Sequence, residues 1–300
     1  MWIILAFISA CLLGCYDFFK KLSLKNNAVL PVLMINTIVC ALFFLPLTLQ
    51  PLFSDAPLLP TYGWREHLLV LIKAAIVLSS WICGYFAIKH LPLTIVGPIN
   101  ATRPVMTLTG ALFIFGEQLN GWQWAGVVLA IVSVFLLSRS GKKEGIHFAN
   151  NRWIVMLIAA AVFGAASGLY DKQLMSPIEM GGEGLNSLFV QGWYNTYQAL
   201  LMTTVILFIW LPTRHKTTPF QWRWSILCIS LFLTAADMAY FFALSEPEAM
   251  ISIVSMVRRG SVVVSFLFGA IYFQEKNLRA KAFDMVLVLL GMLCLYIGTA

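Results

Sequence analysis

Residues 92–115 read PLTIVGPINATRPVMTLTGALFIF, an apolar stretch with one charged residue, Arg103. The stretch is long enough to cross the hydrocarbon core of a bilayer, which takes a helix of about 20 residues. Pro98 and Pro104 each remove a backbone hydrogen bond inside this helix. A charge at membrane depth costs about 2.5–3.5 kcal/mol, so we expect Arg103 to face a partner or a water-filled cavity. The stretch predicts a membrane-spanning helix that carries part of a functional site.

The composition of the whole chain extends this prediction. Of the 300 residues, 60% are apolar and 11% are charged, whereas soluble domains carry about 25% charged residues. Such a chain cannot bury its apolar surface in a water-soluble globule, and it is too apolar to stay disordered. The net charge of +7 resides in short gaps between apolar runs. This pattern argues against a nucleic-acid partner and predicts a polytopic protein of the lipid bilayer.

Apolar runs between charged, proline or glycine residues predict an all-α fold with ten transmembrane helices. The predicted spans lie near residues 2–22, 29–50, 66–88, 92–115, 121–138, 153–173, 186–211, 222–244, 248–273 and 279–298. Because ten is an even number, both termini are expected on the same side of the membrane.

The distribution of basic residues in the predicted gaps indicates the orientation. The terminal face carries Arg65 and Lys172, and the opposite face carries fourteen residues: Lys20, Lys21, Lys25, Lys89, Arg139, Lys142, Lys143, Arg152, Arg214, Lys216, Arg223, Lys276, Arg279 and Lys281. Cytoplasmic loops are the ones enriched in Lys and Arg. The sequence therefore predicts a protein of the cell (cytoplasmic or inner) membrane with both termini on the non-cytoplasmic side.

The two halves of the chain resemble each other. The segment 14–17, Gly-Cys-Tyr-Asp, matches 168–171, Gly-Leu-Tyr-Asp, and a similar offset superposes Arg103 on Arg259. The predicted units are residues 1–140, a basic loop 141–152, and residues 153–300. Because each unit has five spans, the copies are expected to be inverted relative to each other. Such inverted repeats are typical of secondary transporters, with the binding site near the membrane midplane.

Residues 104–126, including the pair Gly116-Glu117, resemble the EamA-type transporters of the drug/metabolite transporter superfamily. Residues 258–291, which begin Arg-Arg-Gly-Ser and contain Glu275, are similar to the second copy of that module. The resemblance implies a ten-helix importer or exporter of small metabolites. It also implies that the first four helices of each repeat line a central cavity. The fifth helices would be peripheral, where a homodimer contact is available.

The chain departs from the family pattern at two places. Leu13 precedes Gly14 where the family commonly has tryptophan, and span nine lacks an equivalent of Pro104. Better-known family members also keep both termini in the cytoplasm, which is opposite to the orientation that the basic residues predict here.

Polar side chains at membrane depth are the candidates for a substrate site. In span seven, Gln191, Asn195 and Gln198 recur at helical spacing among aromatic residues, a combination that suits a small polar ligand. Hydrogen bonds between helices are the alternative explanation for these amides, and ion pairs between helices are the alternative for the arginines. The predicted substrate-binding residues are Trp81, Tyr85, Asn100, Arg103, Gln191, Tyr194, Asn195, Tyr240 and Arg259.

Three acids inside predicted spans are candidates for proton coupling, since intramembrane carboxylates commonly serve that role. Asp237 is the deepest, and Arg258 or Arg259 is its expected partner. Asp17 is expected to pair with Lys20 and Lys21 one turn away. Asp171 has only its neighbour Lys172, which does not share its face of the helix. Lys73 in span three is expected to extend toward the membrane surface.

The chain contains no H-E-x-x-H, G-x-S-x-G or Walker motif, which argues against an enzyme, a metal or other cofactor, and ATP as the energy source. We predict a secondary-active transporter of a small polar metabolite, such as an amino acid or a carboxylate, driven by protons or by exchange. The alternative is a flippase-like carrier of a lipid-linked head group.

Overall fold

The computed structural model describes residues 2–49, 60–115, 119–142, 146, 148–175, 178–245 and 257–299. The secondary structure of this part of the chain consists of helices joined by turns and short irregular segments, with no strand. The helices are α1 (Trp2–Leu24), α2 (Val29–Leu49), α3 (Trp64–His90), α4 (Leu93–Ala101), α5 (Arg103–Phe115), α6 (Gly121–Lys142), α7 (Arg152–Met175), α8 (Ser187–Val205), α9 (Ser225–Ser245), α10 (Ser261–Ile271) and α11 (Leu278–Thr299).

Seven helices of the described residues are long and apolar enough to cross a membrane, namely α1, α2, α3, α6, α7, α11 and the segment Ser187–Lys216 that contains α8. Their ends lie close to the predicted ends because charged and helix-breaking residues flank each apolar run. Two of the other three predicted spans are present as a broken helix, α4 and α5, and as α9, whose apolar segment Ser225–Tyr240 is shorter than the seven spans. The third, 248–273, lies partly outside the described residues, as do Gly116 and Glu117 of the family pattern.

The predicted fourth span is broken directly before Arg103. Pro104 has no N–H for the carbonyl of Asn100, and the residue before a proline is disfavoured in helical conformation. The backbone of Thr102 has φ −79° and ψ −8°, and its N–H donates to the carbonyl of Ile99 at 3.2 Å. A second interruption stands at Gly260, whose N–H donates to the carbonyl of Val257 at 2.9 Å. The helix therefore breaks beside the arginines in both halves, even though the second half has no proline there.

A carboxylate from the second half stabilises the start of α4. Glu275 accepts hydrogen bonds from the backbone N–H of Leu93 at 2.7 Å and of Thr94 at 2.9 Å, and from the Thr94 hydroxyl. A negative charge is favourable at a helix N-terminus. The buried ammonium of Lys281 donates to the same hydroxyl at 3.0 Å. This network fixes the broken helix against α11.

The main helix contacts join the two halves of the chain. Helix α1 packs on α9 and α10, α3 on α7 and α8, α2 on α8, α4 on α10, and α6 on α11. The α6–α11 contact is close because glycines face each other: a Cβ at Gly126 would lie 2.8 Å from the carbonyl oxygen of Gly291. A buried apolar cluster that includes Tyr85, Ile95 and Ile229 occupies the interior.

The outer surface of the helices is apolar. Phe7, Phe135 and Phe208 are among the exposed large side chains, and exposed tryptophans stand near helix starts, as at Trp64 and Trp224. Apolar outer faces with aromatic residues at the ends are typical of helices in lipid. The chain is therefore a multi-pass membrane protein.

Candidate functional site

A cavity of about 370 Å³ lies where helices of the first half meet helices of the second. It is lined from both sides of the broken fourth span and by the residues around Gly260. Its polar and aromatic lining residues are Tyr16, Asp17, Lys20, Ser80, Trp81, Tyr85, Asn100, Arg103, Tyr240, Arg258, Arg259 and Ser261.

Arg103 reaches the cavity across the surface of α7. A Cβ built at Gly164 would lie 3.0 Å from both Cζ and Nη1 of the guanidinium, so the absence of a side chain at Gly164 makes the space for it. The Nε–H of Arg103 is buried without a hydrogen-bond acceptor among the described residues. One turn earlier, the Oδ1 of Asn100 is buried and likewise lacks a donor. Two residues that line the cavity therefore carry a donor and an acceptor without partners in the described structure.

Asp17 is held on two sides at the cavity wall. Its Oδ1 accepts from the ammonium of Lys20 at 2.7 Å, and its Oδ2 accepts from the hydroxyl of Ser265 at 3.1 Å. The same ammonium lies 4.1 Å from the centre of the Tyr16 ring and 5.3 Å from that of Tyr85. Cations favour the faces of such rings. Lys20 is therefore buried by a carboxylate and two aromatic rings.

The expected pairing of Asp17 with Lys21 is wrong. The ammonium of Lys21 donates instead to the carbonyls of Ile88, at 2.8 Å, and of Leu91. These carbonyls close the end of α3, where a cation is favourable.

In the second half, Arg258 forms an ion pair with Asp237, as the sequence predicted for one of the two arginines. The guanidinium of Arg258 also lies 4.4 Å from the centre of the Tyr240 ring. Arg259 is exposed to the cavity, and within the described residues it has no ion-pair partner. The cavity therefore has two cationic groups, Arg103 and Arg259, that form no ion pair with a carboxylate of the described residues.

Asp171 does not line this cavity, and neither does Asp237 itself. Asp171 pairs with Lys73 of α3, so the expectation that Lys73 extends to the membrane surface is wrong. The Lys73 side chain is 7% exposed, and its ammonium lies 5.1 Å from the centre of the Tyr194 ring. The pair joins α3 to α7 because those helices pack directly on each other.

The predicted residues of span seven also lie outside the cavity lining. The amide of Gln191 donates to the hydroxyl of Tyr194 at 3.4 Å, and that of Asn195 donates to the carbonyl of Gln191 at 2.8 Å. These bonds stay within α8, whose buried face contacts α2 and α3. Gln198 is fully buried, and neither atom of its amide has a partner in the described structure.

Three residues of the site were missed by sequence reasoning as ligand-site candidates. From the sequence, Lys20 and Arg258 are expected to be partners of acids. Small residues at a spacing of four, which include Gly164, predict close helix packing. The signal for Lys20 was its position one turn after Asp17. The signal for Gly164 was the small-residue spacing Ala160, Gly164, Gly168. Within the described residues, no cluster of His, Cys, Asp or Glu could hold a metal ion.

Comparisons with known proteins agree with the membrane architecture. Residues 1–139 match the EamA-like transporter family. Over 140 residues the chain is 27% identical to an uncharacterised protein of Methanocaldococcus jannaschii, covering 46% of this chain and 96% of that protein. Over 117 residues it is 31% identical to an uncharacterised transporter of Pseudomonas aeruginosa, covering 38% of this chain and 37% of that protein.

A longer match extends into the second half. Protein RarD of Streptomyces exfoliatus is 21% identical over 224 residues, covering 71% of this chain and 65% of that protein. A solved crystal structure shares the fold at 13% identity, with a TM-score of 0.56, covering 96% of this chain and 95% of that one. The family match thus covers 139 of the 300 residues, and over that part the chain is similar to the EamA-like transporter family.

Proposed function

We propose that this protein is a secondary-active transporter of a small polar metabolite with a carboxylate group, such as an amino acid or an organic acid. The observation that carries the proposal is the pair Arg103 and Arg259 at one cavity, with no acid partner in the described structure. A bound carboxylate would supply the negative charge that the protein leaves out, through charge-assisted hydrogen bonds.

The arrangement of the helices supports an inverted repeat of ten spans, with units 1–140 and 153–300. If spans one to five correspond to spans six to ten, the contact of α1 with α9 corresponds to that of α7 with α3. The contacts α2–α8, α4–α10 and α6–α11 each join a helix to its own counterpart in the other half, so exchanging the halves leaves them unchanged. All of these contacts are present. A two-fold relation between inverted halves produces this pattern, and such halves place a substrate between them.

The cavity wall suits a ligand with both a donor and an acceptor. The unsatisfied Nε–H of Arg103 requires an acceptor, and the unsatisfied Oδ1 of Asn100 requires a donor. An amino acid offers both, through its carboxylate and its ammonium group. Trp81 and Tyr85 add aromatic surface to the same cavity.

Asp17 is the proposed proton-coupling carboxylate, since it lines the cavity beside Lys20. Asp237 contacts the cavity through Arg258, and Asp171 is paired with Lys73 away from it. We place both termini on the non-cytoplasmic side of the cell membrane, because of the excess of basic residues on the opposite face. A reporter fused after Ala300 that is active only in the cytoplasm would contradict this orientation.

Transport assays test the proposal directly. Purified protein in liposomes is supplied with labelled amino acids and organic acids, with and without a proton gradient. For the transported compound, Arg103→Gln and Arg259→Gln should each lower uptake about tenfold, since a hydrogen bond to a charged group contributes about 1.5–3 kcal/mol. The control is Arg65→Gln, because Arg65 is 69% exposed and pairs with Glu183 away from the cavity.

Unchanged uptake in both cavity variants would remove the proposed roles of the arginines. Movement of a lipid-linked sugar between leaflets, without uptake of any soluble compound, would favour the flippase instead.

A further inference from the structure

A second cavity, of about 380 Å³, lies at the membrane surface on the face that carries most basic residues. The end of α3, the start of α7, the start of α2 and the chain after α8 surround it. It shares no lining residue with the first cavity. Helix ends at this depth meet the head groups of the lipids rather than their acyl chains.

The charge of this second cavity is positive and uncompensated. Lys89, Arg152 and Lys216 line it, and the described lining includes no acidic residue. Lys89 donates to two neutral acceptors, the carbonyl of Asn27 at 2.8 Å and the hydroxyl of Thr218 at 2.9 Å. Arg152 and Lys216 are exposed. The cavity can therefore take a negative charge without displacing a carboxylate.

The walls combine rings with an unsatisfied donor. The imidazole of His90 stacks on Trp153 with ring centres 3.6 Å apart, and the guanidinium of Arg152 lies 4.4 Å from the same indole. The indole N–H of Trp210 is buried with no acceptor among the described residues. Val29, Leu30 and Phe86 supply an apolar side to the cavity. The second cavity thus combines cationic side chains and the indole N–H donor with an apolar surface.

We propose that this second cavity binds the phosphodiester head group of an anionic phospholipid, with Arg152 and Lys216 as the main contacts. Basic cavities between transmembrane helices on one membrane face are where such head groups bind. The apolar side would accept the first carbons of the lipid chains. This proposal is independent of the transported compound, since the two cavities are separate.

Lipid selectivity in nanodiscs tests the proposal. The wild-type protein and the double variant Arg152→Gln/Lys216→Gln are placed in phosphatidylcholine alone or in an equal mixture with phosphatidylglycerol. Native mass spectrometry counts the retained lipids, and the unfolding midpoint is recorded. The wild type should retain phosphatidylglycerol preferentially, and the variant should lose about fivefold of that preference for each charge removed.

The matched control is Arg139→Gln, which removes an exposed arginine on the same face outside the cavity. Equal loss of preference in this control would overturn the proposal, because it would indicate a general surface charge effect. Lys216→Gln alone changes an exposed loop residue and keeps the test valid if the double variant does not fold.

Soluble glycerol 3-phosphate, added to the protein in phosphatidylcholine, separates a lipid ligand from a free phosphate ester. We expect it to leave the unfolding midpoint unchanged. A shift as large as that from phosphatidylglycerol would overturn the assignment to lipid. Trp210→Phe keeps an aromatic side chain but removes the five-membered ring of the indole with its N–H. It should weaken lipid retention more than it lowers the midpoint in phosphatidylcholine.

Discussion

The two helix breaks at the central cavity are built differently, although they occupy corresponding positions. In the first half, Pro104 produces the break, and the single Arg103 forms no ion pair with a carboxylate of the described residues, although Asp17 lines the same cavity. In the second half, Gly260 interrupts the helix, and of the two arginines before it Arg258 pairs with Asp237. Arg259 extends into the cavity.

We propose that this difference separates charges that stabilise the fold from charges that are available to a ligand. The second half carries one arginine whose charge is neutralised within the protein, and one that is not. At its break the first half carries a single arginine, Arg103, whose charge is not neutralised in this way. Removing Asp237 should therefore lower stability, whereas removing the charge of Arg103 should lower transport.

The largest effect is expected at Asp237. Asp237→Asn leaves the partly buried Arg258 without its carboxylate, and breaking such a pair costs about 3 kcal/mol. The thermal unfolding midpoint in detergent should fall, and uptake should fall with it. By contrast, Arg103→Gln should leave the midpoint unchanged, because it strands no opposite charge.

The double variant Asp237→Asn/Arg258→Gln distinguishes an ion pair from a direct role of Asp237 in coupling. If the acid acts through the pair, the double variant should recover most of the lost stability. A double variant as unstable as Asp237→Asn alone would contradict the pairing.

A smaller loss of stability is expected where the second half supports the first break. Glu275→Ala removes three hydrogen bonds at the start of α4. Loss of a charged helix cap should cost about 2 kcal/mol, measured as a lower unfolding midpoint. Glu275→Gln retains an acceptor oxygen and should lose less than half as much. Equal midpoints for the alanine variant and the wild type would show that α4 does not depend on this cap.

The smallest effect is expected from Gly164→Ala, which tests the placement of Arg103 without changing any charge. The added methyl group would lie 3.0 Å from the guanidinium, so the side chain must shift. We expect the KM for uptake to rise about fivefold, which corresponds to about 1 kcal/mol.

Gly168→Ala is the matched control for that variant, one turn further along α7. Its methyl group would lie 3.7 Å from the Thr107 hydroxyl oxygen, an ordinary contact. A rise in KM of the same size in both variants would indicate general disturbance of helix packing.

Helix ends and lipid exposure could be predicted from the sequence because they depend on local composition. The second predicted span, 29–50, corresponds to α2 at Val29–Leu49, since a loop with Lys25 precedes it and prolines follow. The choice between Arg258 and Arg259 as the partner of Asp237 could not be predicted. The helix is interrupted at Gly260, so the helical repeat does not give the direction of the preceding side chains.

Contacts between helices that are far apart in the chain likewise could not be predicted from the sequence. Lys73 pairs with Asp171, 98 residues later, because α3 packs on α7. The amide stripe of α8 was predicted correctly as a stripe, but the spacing does not say which neighbour it faces. Gln191, Tyr194 and Asn195 consequently lie against α2 and α3 rather than around the cavity.

The close contact of α6 with α11 through Gly126 and Gly291 has a mechanical consequence. At that contact the backbone of each helix lies against a glycine of the other, and the side chain of Leu295 packs beside Gly126. Such a close fit resists sliding of one helix along the other. We therefore expect the last helices of the two halves, α6 and α11, to move together as one rigid unit. If the proposed transporter changes access to its interior, we expect the remaining helices to move relative to this α6–α11 pair.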